Sequence, residues 1–199
     1  MINKFLIFLA FAGIMSSCTE TYTPKPRTYP KVEYPERKYQ AFDVNYCAFS
    51  FEYPTYMTFV RDTSFLGQKP KHNCWFNLEI PKFNGVVHFT YTPVHNANDV
   101  YQAYDDAYRL ASQHNKKADS NMDYVFKNDS SKVYGVLYEI GGHVASAFQF
   151  VLTDSSHHSV RGALYFNSHP NPDSLRPILN FVKEDLSHIL RTFKWTAKH

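Results

Sequence analysis

Strict alternation sets the first limit on this fold. In Cys47-Ala-Phe-Ser-Phe-Glu-Tyr-Pro54, Cys47, Phe49, Phe51 and Tyr53 point one way and Ala48, Ser50 and Glu52 the other. That is the two-residue period of a strand with one buried face. Pro54 has no N–H to give to a ladder and closes the run. Cys74-Trp-Phe-Asn-Leu-Glu-Ile-Pro81 repeats the pattern, with Cys74, Phe76, Leu78 and Ile80 on one face and a proline at the end. Two such strands need an apolar layer for their aromatic faces. Asn84-Gly85 follows as a hairpin signal, with Val86 to Thr92 as the return strand and Pro93 as its stop. Between the two strands, Thr55 to His72 reads as a loop or one short strand.

Further along, the period changes from two to 3.6. Asn96 or Asn98 caps a helix, and Asp99 sits in its first turn, where a carboxylate complements the helix dipole. Val100, Tyr101, Tyr104, Ala107, Tyr108 and Ala111 form a stripe, read as core packing, before the cations Lys116 and Lys117. Three strands are then predicted: Met122 to Lys127, Lys132 to Ile140, and His143 to Leu152 after a Gly141-Gly142 turn. Val160 to Asn167 pairs back across the polar turn Thr153 to His157. Val144, Phe148, Phe150 and Leu152 are placed on one face, and the small Ala145, Ala147 and Ala163 leave room for a helix on the other. That helix starts at Pro172-Asp173-Ser174, with Ser174 as cap and Pro177 in the first turn. Its stripe is Leu175, Ile178, Val182, Leu186, Ile189 and Phe193, and Phe193-Lys-Trp195 closes the chain. The expected class is α+β, a mostly antiparallel sheet flanked by helices on both faces.

The N-terminus addresses the protein rather than folding it. Lys4 precedes an uncharged, mostly apolar run from Phe5 to Met15, followed by Ser16-Ser17-Cys18. Such a run has signal-peptide length and falls short of the ~20 residues of a membrane span. Small residues before a cysteine make this a lipoprotein signal, with the Cys18 thiol acylated and residues 1–17 cleaved; an ordinary secretory signal is the alternative. Residues 18–40, with Pro24, Pro26, Pro30 and Pro35, read as a lipidated N-terminus and extended tether. Its tyrosines leave open that part of it docks. Residues 41–199 then form a single domain.

An exported protein with two further cysteines is expected to hold one disulfide, Cys47–Cys74, two buried thiols being the alternative. A formal charge of +3 over 199 residues is too weak for a nucleic-acid footprint. Ten histidines occur without a His-x-x-x-His, Cys-x-x-Cys or His-Glu-x-x-His spacing, so no metal or other cofactor is expected. No nucleophile elbow or phosphate loop occurs either, and no enzyme activity is expected. One polar cluster is a candidate: Asp154, His158 and Arg161 at a hairpin end, with Asn167 and Asn171 near it. Asp154 could orient His158 as a base, or simply bond its own turn.

The strings Phe49-Ser-Phe-Glu-Tyr-Pro54, Cys74-Trp-Phe-Asn-Leu-Glu-Ile-Pro-Lys-Phe83 and Lys132-Val-Tyr-Gly-Val-Leu-Tyr-Glu139 stand with Phe148-Gln-Phe-Val-Leu-Thr-Asp154, Arg161-Gly-Ala-Leu-Tyr-Phe-Asn167 and Asp173-Ser-Leu175. Together with the lipoprotein signal they resemble the GldD family of gliding-motility lipoproteins of Bacteroidetes, from about Pro35 to Trp195. The opening Phe-Ser-Phe-Glu-Tyr-Pro54 and closing Phe-Lys-Trp195 resemble the PsbP type of α-β-α sandwich. The family resemblance implies a cell-envelope protein, anchored by acyl chains and facing the periplasm, required for gliding and type IX secretion. It also implies a polytopic membrane partner like GldE and supplies no catalytic residue. The other class of function is a small periplasmic enzyme or ligand-binding protein working at the Asp154 to Asn171 end.

Overall fold

The computed structural model describes residues 31–63, 69–168 and 172–196. Cys18 and Asn171 lie outside them. Among the described residues, ten strands and two long helices follow in the order β1 (Tyr39–Phe42), β2 (Phe49–Pro54), β3 (Thr58–Arg61), β4 (Phe76–Ile80), β5 (Gly85–Pro93), α1 (Ala97–Ser112), β6 (Ala118–Asn128), β7 (Val133–Gly142), β8 (Phe148–Thr153), β9 (His158–Phe166), α2 (Pro172–Thr192) and β10 (Lys194–Trp195). One sheet has seven strands in the order β3-β4-β5-β9-β8-β7-β6; the other has three, β1-β2-β10. Every pairing is antiparallel. The α+β class and the antiparallel sheet follow directly.

The two alternating strands meet across the core. Phe42 stacks on Phe51 and on Phe76 with ring centroids 4.6 Å apart in each case, and Phe76 stacks on Phe89 at 4.7 Å. Phe49 reaches Phe193 at 5.1 Å, tying the small sheet to the end of α2. Each such pair contributes about 0.5–1.5 kcal/mol beyond burial. Cys47 and Cys74, each two residues ahead of its strand, form a disulfide with Cα atoms 5.2 Å apart. It links the loops that lead into the two sheets.

Alternate residues of β8 divide between two cores. Phe148, Phe150 and Leu152 join the large cluster with Val182, Leu186 and Ile189 of α2. Val151 joins a smaller one with Ala107 and Ala111 of α1. Ala107 and Ala111 let α1 lie close to the sheet. Asn96 is its cap, its side-chain oxygen accepting from the Asp99 N–H at 3.1 Å.

Several expectations are corrected. The turn after β7 is not Gly141-Gly142; it runs to Ala147, where the Ile140 N–H donates to the Ala147 carbonyl at 3.0 Å. The long turn resets the alternation, so Val144 packs with α1 and Ala145 is exposed. Strand β6 is eleven residues, longer than Met122 to Lys127, and exposed along most of its length. An edge strand open to water on both faces has no apolar alternation to read. Helix α2 starts at Pro172, which puts Ser174 inside the helix rather than at its cap and Pro177 beyond the first turn. Asn84 itself is left-handed (φ 48°) and closes a tight turn over Pro81–Phe83, Gly85 being the first residue of β5.

The tether docks from Val32 onward. Val32 packs against the large core, and the Tyr34 ring lies tilted over Phe181 with centroids 4.7 Å apart. The Arg37 Nε lies 3.2 Å from Asp185 of α2, and β1 pairs with β2. Tyr39 stacks on His188 at 3.7 Å. Folded structure therefore begins some nine residues before position 41. Tyrosines and an arginine spaced among prolines carry no period, so only their partners on α2 reveal the docking.

Candidate functional site

Asp154 follows β8 and opens the turn into β9. Its Oδ1 accepts the backbone N–H groups of Ser156, His157 and His158 at 2.9, 2.8 and 2.9 Å. Its Oδ2 accepts the Ser156 hydroxyl at 3.0 Å. Burial alone raises the carboxyl's pKa, but these bonds outweigh it and hold Asp154 below the ordinary carboxylate value. Asp154 thus grips the turn, which contains Ser155 at φ 66°.

The His158 ring bonds elsewhere. Its Nδ1 lies 2.8 Å from the Tyr91 hydroxyl, and the ring stacks on Trp195 with centroids 5.3 Å apart. Burial lowers its pKa, against the smaller upward pull of Asp154. Trp195 in turn donates its Nε1–H to the Lys132 carbonyl at 3.0 Å. The aspartate holds the histidine's backbone, and a tyrosine holds its ring.

Arg161 is on the other face of the sheet. Three residues apart on a strand means opposite sides, and the observed partners agree. Arg161 Nη2 donates to Gln149 Oε1 at 2.6 Å, beside Val151 of the α1 core, whereas His158 faces Tyr91 and Trp195. Asn167 lies past the far end of β9, where its N–H donates to the Asn84 carbonyl at 2.8 Å and its own carbonyl accepts from the Asn84 side chain at 2.7 Å. A nine-residue strand puts it roughly 30 Å from His158. The four residues expected together occupy three places. The cavity beside Asp154, about 550 Å³, is lined by Ser130, Ser131, Lys132, Lys194 and Trp195 and reaches neither His158 nor Arg161.

Two features were not legible as functional. Gln149 interrupts the apolar run Phe148 to Leu152 and is 1% exposed; a lone amide in such a strand is the available signal. The second is the helical stripe of α1. Ala107 and Ala111 are buried, but Tyr101 is 68% and Tyr108 60% exposed. At 3.6 residues per turn these two tyrosines lie roughly 60–120° round from Ala107 and Ala111. Asp123 of β6 pairs in register with Tyr138 of β7, which packs in the α1 core. On β6, Val125 is 85% exposed on the side of the sheet that carries α1, and Met122 and Tyr124 are open on the opposite side. Scattered exposed apolar residues are ordinary; Tyr101 and Tyr108 form an exposed tyrosine pair on one helix face.

Among the described residues no group of three metal-ligating side chains converges, and no helix is long and apolar enough to cross a membrane. A comparison with curated proteins finds no match. Among solved structures, the chain is similar to the solution structure of cyanobacterial PsbP (CyanoP) from Synechocystis sp. PCC 6803, at 14% identity and a TM-score of 0.48, over 83% of this chain and 97% of that one. The family described as gliding motility lipoprotein GldD matches residues 19–195, beginning one residue after Cys18. With that match over most of its length, the chain belongs to the gliding motility lipoprotein GldD family, whose members are membrane-anchored envelope lipoproteins.

Proposed function

We propose that this lipoprotein works by binding, as a non-catalytic assembly or stabilising component of the gliding and type IX secretion machinery, beside a GldE-like integral membrane protein. Family membership carries the reading. The exposed Tyr101 and Tyr108 of α1 support it as a surface able to meet a partner. His158 supports it from the other side, since its ring is engaged by Tyr91 and Trp195 rather than held by Asp154 as a base. Cys18 is the acylated residue, and the domain faces the periplasm on a short tether. Tethering raises effective concentration in the plane of the membrane, so a modest interface is occupied.

The test replaces the native protein in cells. Loss of the protein is expected to abolish spreading and type IX secretion together, while His158→Ala leaves both intact. A folded, abundant His158→Ala protein that stops secretion overturns the binding account in favour of an enzyme or ligand carrier.

A further inference from the structure

We propose that two copies of this chain join edge to edge, by antiparallel pairing of β6 with β6 about a two-fold axis through Val125. This goes beyond the assembly role and does not rest on it. β6 ends the seven-stranded sheet, with β7 as its neighbour on one side. In an antiparallel ladder, successive residues turn their backbone groups toward opposite neighbours. The Ile140 N–H of β7 donates to Ala147, on the β8 side, so Ile140 faces away from its register partner Asn121. By alternation Asn121, Asp123, Val125 and Lys127 aim their N–H and C=O groups off the sheet, while Met122, Tyr124, Phe126 and Asn128 bond to β7. Among the described residues no strand takes up that outer row.

The edge lacks the usual protection. Native edge strands are kept short, or are blunted by proline, by a bulge, by lysines or by a covering element. From Asn121 to Asn128 there is no proline and one lysine. The register shift lies at the other end, between Ala118 and Ser120. Among the described residues the other outer strands are short, four residues in β1, four in β3 and two in β10, against eleven in β6.

Charge complementarity makes a second copy the occupant. Asp123 and Lys127 flank Val125 symmetrically and share its face of the sheet. Turning the strand end over end about Val125 sets Asp123 opposite Lys127 of the second copy, twice, and Val125 opposite its own equivalent. On the other face Tyr124 meets Phe126 of the second copy, again twice. Opposite charges and aromatic pairs directly across are favourable cross-strand pairs, and like charges there are unfavourable. The outward backbone rows match as well, because each outward residue meets an outward residue. Neighbouring registers lose this. A centre at Asp123 sets that carboxylate against itself. A centre at Tyr124 sets Asp123 opposite Val125, and a centre at Phe126 sets it opposite Asp129. Lys127 lies 3.1 Å from Asp129 in an exposed pair, which holds it weakly and leaves it able to reach across. The interface is isologous, as closed two-fold dimers are. Anchoring both copies in one membrane raises their effective concentration.

Cysteine crosslinking of the full-length protein in cell membranes tests this. Directly opposed residues have Cα atoms about 5.5 Å apart, within disulfide reach. Val125→Cys is expected to give a disulfide-linked dimer that the wild type does not give. Asp123→Cys and Lys127→Cys are expected to crosslink to each other when co-expressed, and far less when each is expressed alone. In detergent, sedimentation is expected to show a dimer whose dissociation constant rises about tenfold in Lys127→Asp. Adding Asp123→Lys to that variant is expected to restore the wild-type value. Val125→Pro removes an N–H from the outer row alone, which an edge strand tolerates, and is expected to give a monomer with the circular dichroism of the wild type. The proposal is overturned by a wild type that is monomeric at every concentration, or by Val125→Cys adducts only with some other protein. It is equally overturned if Asp123→Cys and Lys127→Cys crosslink as well alone as together, or if the charge-swapped variant dimerises no better than Lys127→Asp.

Discussion

Asp185 of α2 clamps the N-terminal segment, and its removal is a quantitative test of where the domain begins. Its side chain is fully buried. Oδ1 accepts the Tyr39 hydroxyl at 2.7 Å and lies 3.2 Å from Arg37 Nε, and Oδ2 accepts the Tyr56 hydroxyl. Burial, reinforced by Asp185, pushes the Tyr39 hydroxyl up to about 12 and raises Tyr56 as well. Both phenols therefore stay protonated as donors. Asp185→Ala leaves Tyr56 without its acceptor and Arg37, among the described residues, with Glu184 at 2.5 Å as its carboxylate partner. Removing one partner of a buried charged network costs about 3–5 kcal/mol. For a domain of this size that corresponds to a Tm fall of roughly 6–20 °C. Asp185→Asn keeps one acceptor and is expected to lose less. Thermal unfolding followed by circular dichroism gives the magnitude, and trypsin cleavage at Arg37 and Lys38 gives the location. A loss under about 1 kcal/mol, or trypsin resistance unchanged, refutes the clamp.

Removing the disulfide in Cys47→Ala/Cys74→Ala, which opens a loop of 27 residues' separation, is expected to cost about 3–4 kcal/mol in the chain-entropy account, read by denaturant unfolding. Gly162→Ala places a Cβ 2.0 Å from the buried Phe150 ring, and overpacking of this kind costs about 1–3 kcal/mol or more; a variant as stable as the wild type contradicts the packing. His72, His88, His114 and His158 all have pKa values lowered by burial. The unfolded chain then binds more protons below about pH 6.5, so stability is full above that pH and falls as pH drops toward the folded values. His158→Gln is expected to flatten the Tm-against-pH curve between pH 7 and 5. Cys18→Ala is expected to move the protein from the membrane to the soluble periplasmic fraction, and an unchanged membrane fraction argues against acylation there.

What the sequence disclosed and what it withheld divide along physical lines. Phe49, Phe51 and Phe76 sit in strands with one dry face, so alternation alone located them. The cap Asn96 was legible because it is local chemistry. Strand β6 was cut short because both of its faces meet water. The docking of residues 32–40 depends on Asp185 and Phe181, more than 140 positions away in the chain. Parity on β9 was available in the sequence and already separates His158 from Arg161. The clustering of Asp154, His158, Arg161 and Asn167 rested on nearness along the chain, which a nine-residue strand undoes. Tyr101 and Tyr108 were assigned to the core because the stripe was read at full width, whereas the small Ala107 and Ala111 narrow the contact.

The central claim, that this lipoprotein acts by binding, is tested most directly by crosslinking in living cells with a photoreactive residue at position 108. The account predicts an adduct with a GldE-like polytopic membrane protein, absent when the probe is moved to the exposed Glu79 of β4. No adduct from position 108, or the same adduct from position 79, contradicts it.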